Sequence, residues 1–210
     1  MTIQTAGNSE SVQDVIEDVL AIPKSGPQIV HRSLMYAGRR MKTAAKRAIK
    51  ETYFVKSSEL QLGLIEQHSR VSKDKEMWFQ VKAIGERIDL FDFKVSRRTP
   101  TKKHAPPGGV RVQVRKDGTV TTWRHGFIAQ MDSGHIGLFF RDVNNSKYKQ
   151  KPRDNQFGFT WLPIYEGVGV SIAEMLKTVD AEQDIEENAT LDFQKELDRQ
   201  MSLFLSKGSL

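Results

Sequence analysis

Apolar residues recur at helical spacing in two long stretches, one near each end of the chain. From Gln28 to about Val55 they step by three or four residues, and arginines and lysines fill the positions between them. From about Glu182 to Leu205 the same period returns, here with acidic residues in many of the other positions. Both stretches therefore predict long amphipathic helices. The apolar stripes consist of Val30, Leu34, Ala37, Met41, Ala45 and Ala48 in the first helix and of Ile185, Ala189, Phe193, Leu197, Met201 and Phe204 in the second.

Serine residues at N-cap positions predict three shorter helices. A serine followed three residues later by Glu or Gln is the signature of a capping box, which satisfies backbone N–H groups at the start of a helix. A helix start needs such a partner because its first N–H groups have none within the helix. The predicted helices are residues 9–20, beginning at Ser9 or Ser11, residues 58–65, beginning with Ser58 and Gln61, and residues 171–180, beginning with Ser171 and Glu174.

In the middle of the chain the apolar period changes to two, which indicates β-strands. Val110, Val112 and Val114 alternate with polar residues, as in a half-buried strand. The dipeptide Asp117-Gly118 is typical of a two-residue hairpin turn. The predicted strands are residues 78–83, 88–95, 110–114, 127–131 and 136–141, and the polar stretches 96–109 and 142–160 are predicted to be loops.

These elements predict an α+β fold. A twisted antiparallel sheet is expected, covered on one face by the helix from Gln28 and the helix over 171–180, with helical extensions at both ends. The predicted division is an N-terminal extension over 1–27, an α+β domain over 28–180 and an amphipathic helix over 181–210. At 210 residues the chain is long enough to bury a core. No apolar run reaches the length of a membrane span, so no membrane partner is expected.

Charge is distributed unevenly along the chain. The formal net charge is +6, but residues 31–125 carry about +13, whereas residues 1–30 carry about −3 and residues 180–210 about −5. The basic middle and the acidic ends suit pairing within the molecule or between subunits. A basic segment that lies next to DNA is the rival explanation.

The residue types set limits on the chemistry. The chain has no cysteine, which excludes disulfides and sites built on thiolates. Its five histidines are scattered and form no pair at i and i+4, so the sequence predicts neither a metal site nor a bound cofactor. No pattern of catalytic residues stands out elsewhere, and the chain is not expected to be an enzyme.

One short polar run invites a catalytic interpretation. Asp132, Ser133, Gly134 and His135 are consecutive, and they include the residue types of a nucleophile, a base and an orienting group. Consecutive side chains in a hairpin turn diverge, however, and Asp, Ser and Gly are residues that tight turns prefer. We therefore expect a structural turn, and a hydrolase that uses Ser133 and His135 is a remote alternative.

Three segments of the chain resemble the minor tail protein Z family of tailed bacteriophages. The hairpin GFIAQMDSGHIGLFFR over 126–141 is similar to the family's FIA-M-SGH-GVF-R pattern. The segment WLPIYEGVGVSIAEML over 161–176 is similar to its LPI-E-GPS-MI pattern, except that Val170 stands where the family usually has proline. The segment IDLFDFKV over 88–95 and the basic, alanine-rich helix from Gln28 add to the resemblance, which covers roughly residues 29–180. The extension before Gln28 and the long 142–160 insert depart from the family pattern.

The resemblance implies a structural virion protein. Family members are tail completion proteins, which finish the head-proximal end of the tail so that it joins the capsid. The resemblance implies a ring, of six subunits, at the neck of the particle, in contact with tail terminator, tail tube and head–tail connector proteins. Genomic DNA would pass through the ring without sequence-specific binding, and the protein would be in the host cytoplasm during assembly. The candidate interface residues are Arg39, Arg40, Arg47, Lys147, Lys149, Lys151, Arg153, Phe193 and Leu197.

A DNA-binding protein is the main alternative to a ring-forming protein. It would contact the phosphate backbone through the basic segments 32–50 and 97–103. DNA affinity based on such contacts falls steeply with salt, whereas a ring with an apolar seam is expected to survive it. Salt dependence therefore separates the two functions.

Overall fold

The structure is a computed structural model that describes residues 2–4, 10–22, 25–69, 77–100, 106–141 and 164–208. The described helices are α1 (Glu10–Leu20), α2 (Gly26–Thr52), α3 (Ser57–Gly63), α4 (Ile172–Val179) and α5 (Glu182–Gly208). The described strands are β1 (Thr2–Gln4), β2 (Leu64–His68), β3 (Trp78–Ala83), β4 (Arg87–Asp89), β5 (Lys94–Val95), β6 (Val110–Gln113), β7 (Thr121–Trp123), β8 (Gly126–Gln130), β9 (Ile136–Arg141), β10 (Ile164–Glu166) and β11 (Val168–Ser171).

The α+β fold class is confirmed, but the strands form four small sheets and not one twisted sheet. Their orders are β1-β3-β2, β10-β9-β8, β5-β6-β7 and the pair β11-β4. All strand pairs among the described residues are antiparallel. One reason for the division is that the predicted strand over 88–95 is interrupted. A 3₁₀ turn over Leu90–Asp92 separates β4 from β5, so each of them pairs with a different partner.

The chain divides into two compact units, which cut across the predicted domain boundaries. The first unit contains residues 1–51, 60–85 and 172–210, and the second contains residues 52–59 and 86–171. The predicted N-terminal extension belongs to the first unit, because β1 pairs with β3 and because Ile16 and Val19 of α1 are buried. No helix in the described part of the chain is both long and apolar enough to cross a membrane.

Helix α2 contributes the central apolar stripe of the first unit. Val30, Leu34 and Ala37 are completely buried, as the period of three and four residues predicts. Further along the helix, Ile49 is the completely buried residue, whereas Ala48, which the sequence placed in the stripe, is half-buried. Gly38 lies within this stripe, and a Cβ atom at that position would collide with the ring of Phe79 on β3. The absence of a side chain at Gly38 therefore lets the helix approach the sheet closely.

Helix α5 also packs into the first unit. Its buried stripe includes Ile185, Ala189, Phe193 and Leu197. Phe193 and Leu197 are 0% and 1% exposed, so they are core residues of this chain and are not available to a neighbouring subunit. The prediction that these two residues face a neighbouring subunit was therefore wrong, because the chain itself covers the apolar stripe of this terminal helix.

The second unit is built from short strands. Ile128 of β8 and Leu138 of β9 face each other across the hairpin and are completely buried. The Asp132–Gly134 turn is present as predicted, and Gly134 has a φ of 86°, which favours glycine. Backbone bonds close the turn, since Gly134 N donates to Met131 O and Met131 N donates to His135 O, both at 2.8 Å.

Two further local predictions were wrong. The short helix from Ser57 ends at Gly63, and Leu64 and Ile65 begin β2, because strand pairing with Ala83 and Lys82 replaces further helical turns. Asp117 and Gly118 do not form a two-residue hairpin, since the last pair between β6 and β7 is Val112 with Thr121.

The Asp117-Gly118 prediction failed because other contacts fix this connection. Arg115 forms a β-bridge with Tyr53, and its guanidinium donates two hydrogen bonds to the Asp117 carboxylate at 3.0 and 2.8 Å. Gly118 has no positive φ, which a type I′ turn would require at this position. Side-chain pairing and tertiary contact therefore overrode the dipeptide signal.

Candidate functional site

The first candidate site is a groove on the surface of the first unit, between the exposed faces of α2 and α5. Its volume is about 660 Å³. Tyr36 is 43% exposed at this groove, and Arg39 and Arg40 are exposed beside it. The lining residues are His31, Arg32, Met35, Tyr36, Arg39, Arg40 and Thr43 of α2 and Glu196 and Gln200 of α5. The two helices hold this set because every lining residue lies outside their buried stripes or at the edge of them.

Hydrogen bonds hold the Arg40 side chain at one side of the groove. Arg40 Nε donates to Asp192 Oδ2 at 2.6 Å, and Arg40 Nη1 donates to the Tyr36 hydroxyl at 3.3 Å. The guanidinium carbon also lies 5.7 Å from the centroid of the Tyr36 ring. The Asp192 carboxylate raises the pKa of Arg40 above its usual value. This arrangement keeps the aromatic ring and the cation together on the surface.

On the α5 side, the Glu196 carboxylate has three donors. Arg199 donates to its two oxygens at 2.7 and 2.6 Å, and Gln200 donates to Oε1 at 2.8 Å. These bonds favour the ionised form, and the Arg199 guanidinium holds the pKa of Glu196 below its usual value. Glu196 is therefore a fixed negative charge in the wall of the groove.

The remaining interface candidates are distributed unevenly. Arg47 is exposed and pairs with Glu51 one turn along α2, at 2.9 Å. Arg39 and Arg40 border the groove, whereas Phe193 and Leu197 lie in the core. Lys147, Lys149, Lys151 and Arg153 lie outside the described residues.

Several cations of the two basic segments already have partners in the chain. Lys42, which is buried, pairs with Glu66 at 3.0 Å, and Lys46 contacts Gln61. Arg98 donates to the backbone oxygens of Phe91 and Phe93 at 3.2 and 2.9 Å. Residues 101–103 lie outside the described residues. The Lys42–Glu66 ion pair therefore reduces the positive charge that segment 32–50 offers to DNA, whereas Lys46 and Arg98 keep their charge because their partners are neutral.

A second candidate site lies in the second unit, where three segments distant in sequence place titratable side chains together. Asp89 is the last residue of β4, His135 precedes β9, and Glu166 is the last residue of β10. Backbone bonds hold these segments together: Glu166 pairs with Phe139 in the β10–β9 register, Gly167 N donates to Leu138 O at 2.8 Å, and Leu90 N donates to Gly167 O at 2.8 Å. The position of each side chain is therefore fixed by a strand end.

The side-chain distances make this cluster a compact one. His135 Nε2 lies 2.5 Å from Glu166 Oε1 and 3.9 Å from Asp89 Oδ2. The hydrogen bond to Glu166 raises the pKa of His135, and burial together with the Glu166 charge raises the pKa of Asp89. One oxygen from each carboxylate and one imidazole nitrogen lie within 4.8 Å of one another. Such a set is able to share a proton or to bind a metal ion.

This geometry separates His135 from the rest of the polar run. The Ser133 hydroxyl accepts the backbone N–H of His135 at 3.4 Å, a contact typical of a turn. The His135 imidazole is hydrogen-bonded to Glu166. This geometry therefore does not favour a catalytic pair of Ser133 and His135. Asp132, Ser133 and Gly134 are therefore turn residues, as predicted, but the His135 side chain has a further set of contacts.

Asp89 and Glu166 were not predicted as site residues, because the sequence patterns typical of metal and catalytic sites place histidine and carboxylate partners at short spacing. A signal was present, since Asp89, His135 and Glu166 each lie in a different one of the three segments that carry the family resemblance. Comparison of the chain with models of known protein families, with characterised proteins and with solved structures finds no match.

Proposed function

We propose that this chain is a structural virion protein of a tailed bacteriophage, a tail completion protein that assembles into a ring at the head-proximal end of the tail. The ring, of six subunits, would join the tail to the head and contact the tail terminator or tail tube on one side and the head–tail connector on the other. Genomic DNA would pass through the ring without sequence-specific binding. In this proposal the protein acts by assembly and performs no bond chemistry.

The resemblance of the three segments supports the proposal, and they correspond to distinct structural elements. The stretch 126–141 forms the β8–β9 hairpin, and the stretch 161–176 contains β10, β11 and the start of α4. Residues 88–95 form β4, a 3₁₀ turn and β5. The segments thus include paired strands and the start of a helix, and their likeness is a pattern of structure-forming residues.

The groove between α2 and α5 is the observation that carries the assembly function. Tyr, Met and Arg are enriched where proteins contact each other, because each buries a large area and Tyr and Arg also offer polar atoms. The groove combines Met35, Tyr36 and Arg39 on a rigid helix. A surface of this composition supports a protein–protein contact more than it supports a solvated face.

Exposed charge supports a contact between unlike surfaces. Arg32 and Arg39 are exposed on α2, while Asp184 and Glu187 are exposed on the first turns of α5. In a closed ring each subunit uses two different patches, one for each neighbour. A basic patch of one subunit that meets an acidic patch of the next satisfies this requirement.

The assembly state of groove variants tests the proposal. Tyr36→Ser combined with Arg39→Glu should dissociate the ring, since it removes the apolar anchor and reverses a charge. Lys50→Glu is the matched control: it makes the same charge reversal on the same helix, at an exposed residue that lies outside the groove and is not an interface candidate. Native mass spectrometry and sedimentation velocity should show a hexamer for wild type and Lys50→Glu and smaller species for the groove variant.

The place of the protein in the particle needs a separate measurement. In a phage that encodes this chain, mass spectrometry and gold labelling should locate it at the neck, and tails that carry the groove variant should fail to join heads. A wild-type protein that stays monomeric with and without tails would overturn the proposal. A monomer whose DNA affinity falls steeply with salt would favour the DNA-binding alternative. Deletion of residues 182–210 would not test assembly separately from folding, because it also removes the core residues Phe193 and Leu197.

A further inference from the structure

The cluster at the ends of β4 and β10 differs from an ordinary surface ion pair in its charge balance. One imidazole lies between two carboxylates, those of Asp89 and Glu166. The nearby carboxylate of Asp92 forms an ion pair with Lys56, so the charge of Lys56 is not available to neutralise Asp89 and Glu166 alone. The imidazole carries at most one positive charge, against the two negative charges of the carboxylates. A cation at this position would be stabilised.

The backbone around the cluster leaves room for the Glu166 carboxylate. A Cβ atom at Gly137 would collide with Glu166 Oε1, so the carboxylate lies directly against the glycine backbone. The Phe139 ring contacts His135 edge-on, with centroids 6.2 Å apart. Glycine on one side and an aromatic ring on the other restrict the orientations of the two side chains. Restricted side chains make a better site than mobile ones because less freedom is lost on binding.

The distances fit a single small ion. Zinc binds histidine nitrogen and carboxylate oxygen at about 2.0–2.2 Å in tetrahedral geometry, so two of its ligand atoms lie roughly 3.4 Å apart. In the cluster, His135 Nε2 lies 2.5 Å from Glu166 Oε1 and 3.9 Å from Asp89 Oδ2, on either side of that separation. Small side-chain rotations therefore bring all three to one ion, which would replace the direct His135–Glu166 hydrogen bond.

The donor types decide which ion fits. Calcium and magnesium prefer oxygen ligands alone, whereas an imidazole with carboxylates suits first-row transition metals. Three protein ligands leave a coordination position for water or for a group from a partner. We infer that Asp89, His135 and Glu166 form a binding site for one first-row divalent metal ion, with zinc as the ion that the donor set fits best. The ion would join the three segments of the second unit.

Calorimetric titration of the purified full-length chain with zinc chloride, after removal of bound metal by a chelator, tests this inference. One zinc ion should bind per chain and raise the melting temperature. Glu166→Gln and Asp89→Asn keep the side-chain shape and remove a charged ligand. Each should weaken zinc binding by at least about tenfold, since loss of even an outer-shell partner costs about 10–100-fold. His68→Gln is the control, because His31 and His68, with ring centroids 5.9 Å apart, are the rival histidine pair.

A measurement on wild type avoids variants that fail to fold. Paramagnetic Co²⁺ in place of zinc should broaden the imidazole signals of His135 in NMR spectra and leave those of His125 sharp. Absence of zinc binding, unchanged binding in Glu166→Gln and Asp89→Asn, or broadening at His31 and His68 instead of His135 would each overturn the inference. The inference does not rest on the proposed function, and a monomeric protein would test it equally well.

Discussion

The two units of this chain use their residues in different ways. In the first unit, two 27-residue helices, α2 and α5, each bury a continuous stripe of side chains. In the second unit, strands of two to six residues are held by pairing, by turns and by single backbone bonds. A helix stripe distributes stability over many side chains, whereas a short strand end fixes the direction of one side chain.

This difference shows where each candidate site comes from. The groove on the first unit lies along helix faces, so its residues follow one another at helical spacing, as Arg32, Met35, Tyr36 and Arg39 do. The cluster in the second unit takes one residue from each of three strand ends, which are far apart in sequence. Broad contact surfaces therefore come from the helices, and convergent chemical groups come from the strand ends.

The largest expected effect comes from the helix core. Phe193→Ala should lower the free energy of unfolding by about 3–5 kcal/mol, because it leaves a cavity in place of a completely buried ring. Leu191→Ala on the same helix is the control: Leu191 is 50% exposed, and its loss should change stability by no more than about 0.5 kcal/mol. Urea unfolding followed by circular dichroism measures both. Equal effects of the two substitutions would mean that α5 does not pack as described.

The helices were the part of the fold that the sequence predicted best. The period of apolar residues places α1, α2, α4 and α5 close to their observed bounds, since one buried face is enough to define such a helix. Boundaries failed where pairing with a distant strand competed with local signals. Ile65 has helical neighbours in sequence, but it pairs with Lys82 in β2–β3, and only the folded chain supplies that partner.

The sites show the same limit. Arg39 and Arg40 were found at a groove because exposed positions on a helix follow from its buried stripe. Phe193 and Leu197 were misplaced, because the sequence does not reveal whether an apolar stripe is covered by the chain or by a partner. Asp89 and Glu166 were not found at all, since their proximity to His135 depends on strand registers that no short motif encodes.

In the second unit, backbone conformation is expected to matter more than side-chain volume. Gly134→Val should lower the free energy of unfolding by about 1–2 kcal/mol, because Gly134 has a φ of 86° and an L-residue resists this conformation. Gly85→Val is the matched control. A Cβ atom would meet nothing within 4 Å at either position, but Gly85 lacks the positive φ.

Thermal unfolding of the two glycine variants separates strain from crowding. Gly134→Asn should lose less stability than Gly134→Val, since asparagine tolerates the left-handed region better than a β-branched residue does. Gly85→Val should melt near wild type. If Gly134→Val also melted near wild type, the turn would not require the backbone conformation that the structure gives it.

The smallest expected effect concerns the charge in the wall of the groove. The pKa of Glu196 is lower in the folded chain than its usual value of 4.5, mainly because Arg199 donates hydrogen bonds to the carboxylate. The ionised form therefore stabilises the fold. This contribution is present above the unfolded-state pKa and is lost as the pH falls through the folded-state pKa.

Glu196→Gln should consequently be less stable than wild type at neutral pH, and the difference should shrink as the pH falls below about 4.5. The effect should be small beside that of Phe193→Ala, because Arg199 is largely exposed and water screens the pair. Glu187→Gln is the control on the same helix, since Glu187 is exposed and accepts a hydrogen bond from the neutral Gln183. Urea midpoints measured between neutral and acid pH give the comparison. A gap between wild type and Glu196→Gln that stays constant as the pH falls would show that the glutamate stabilises α5 through its packing, without help from its charge.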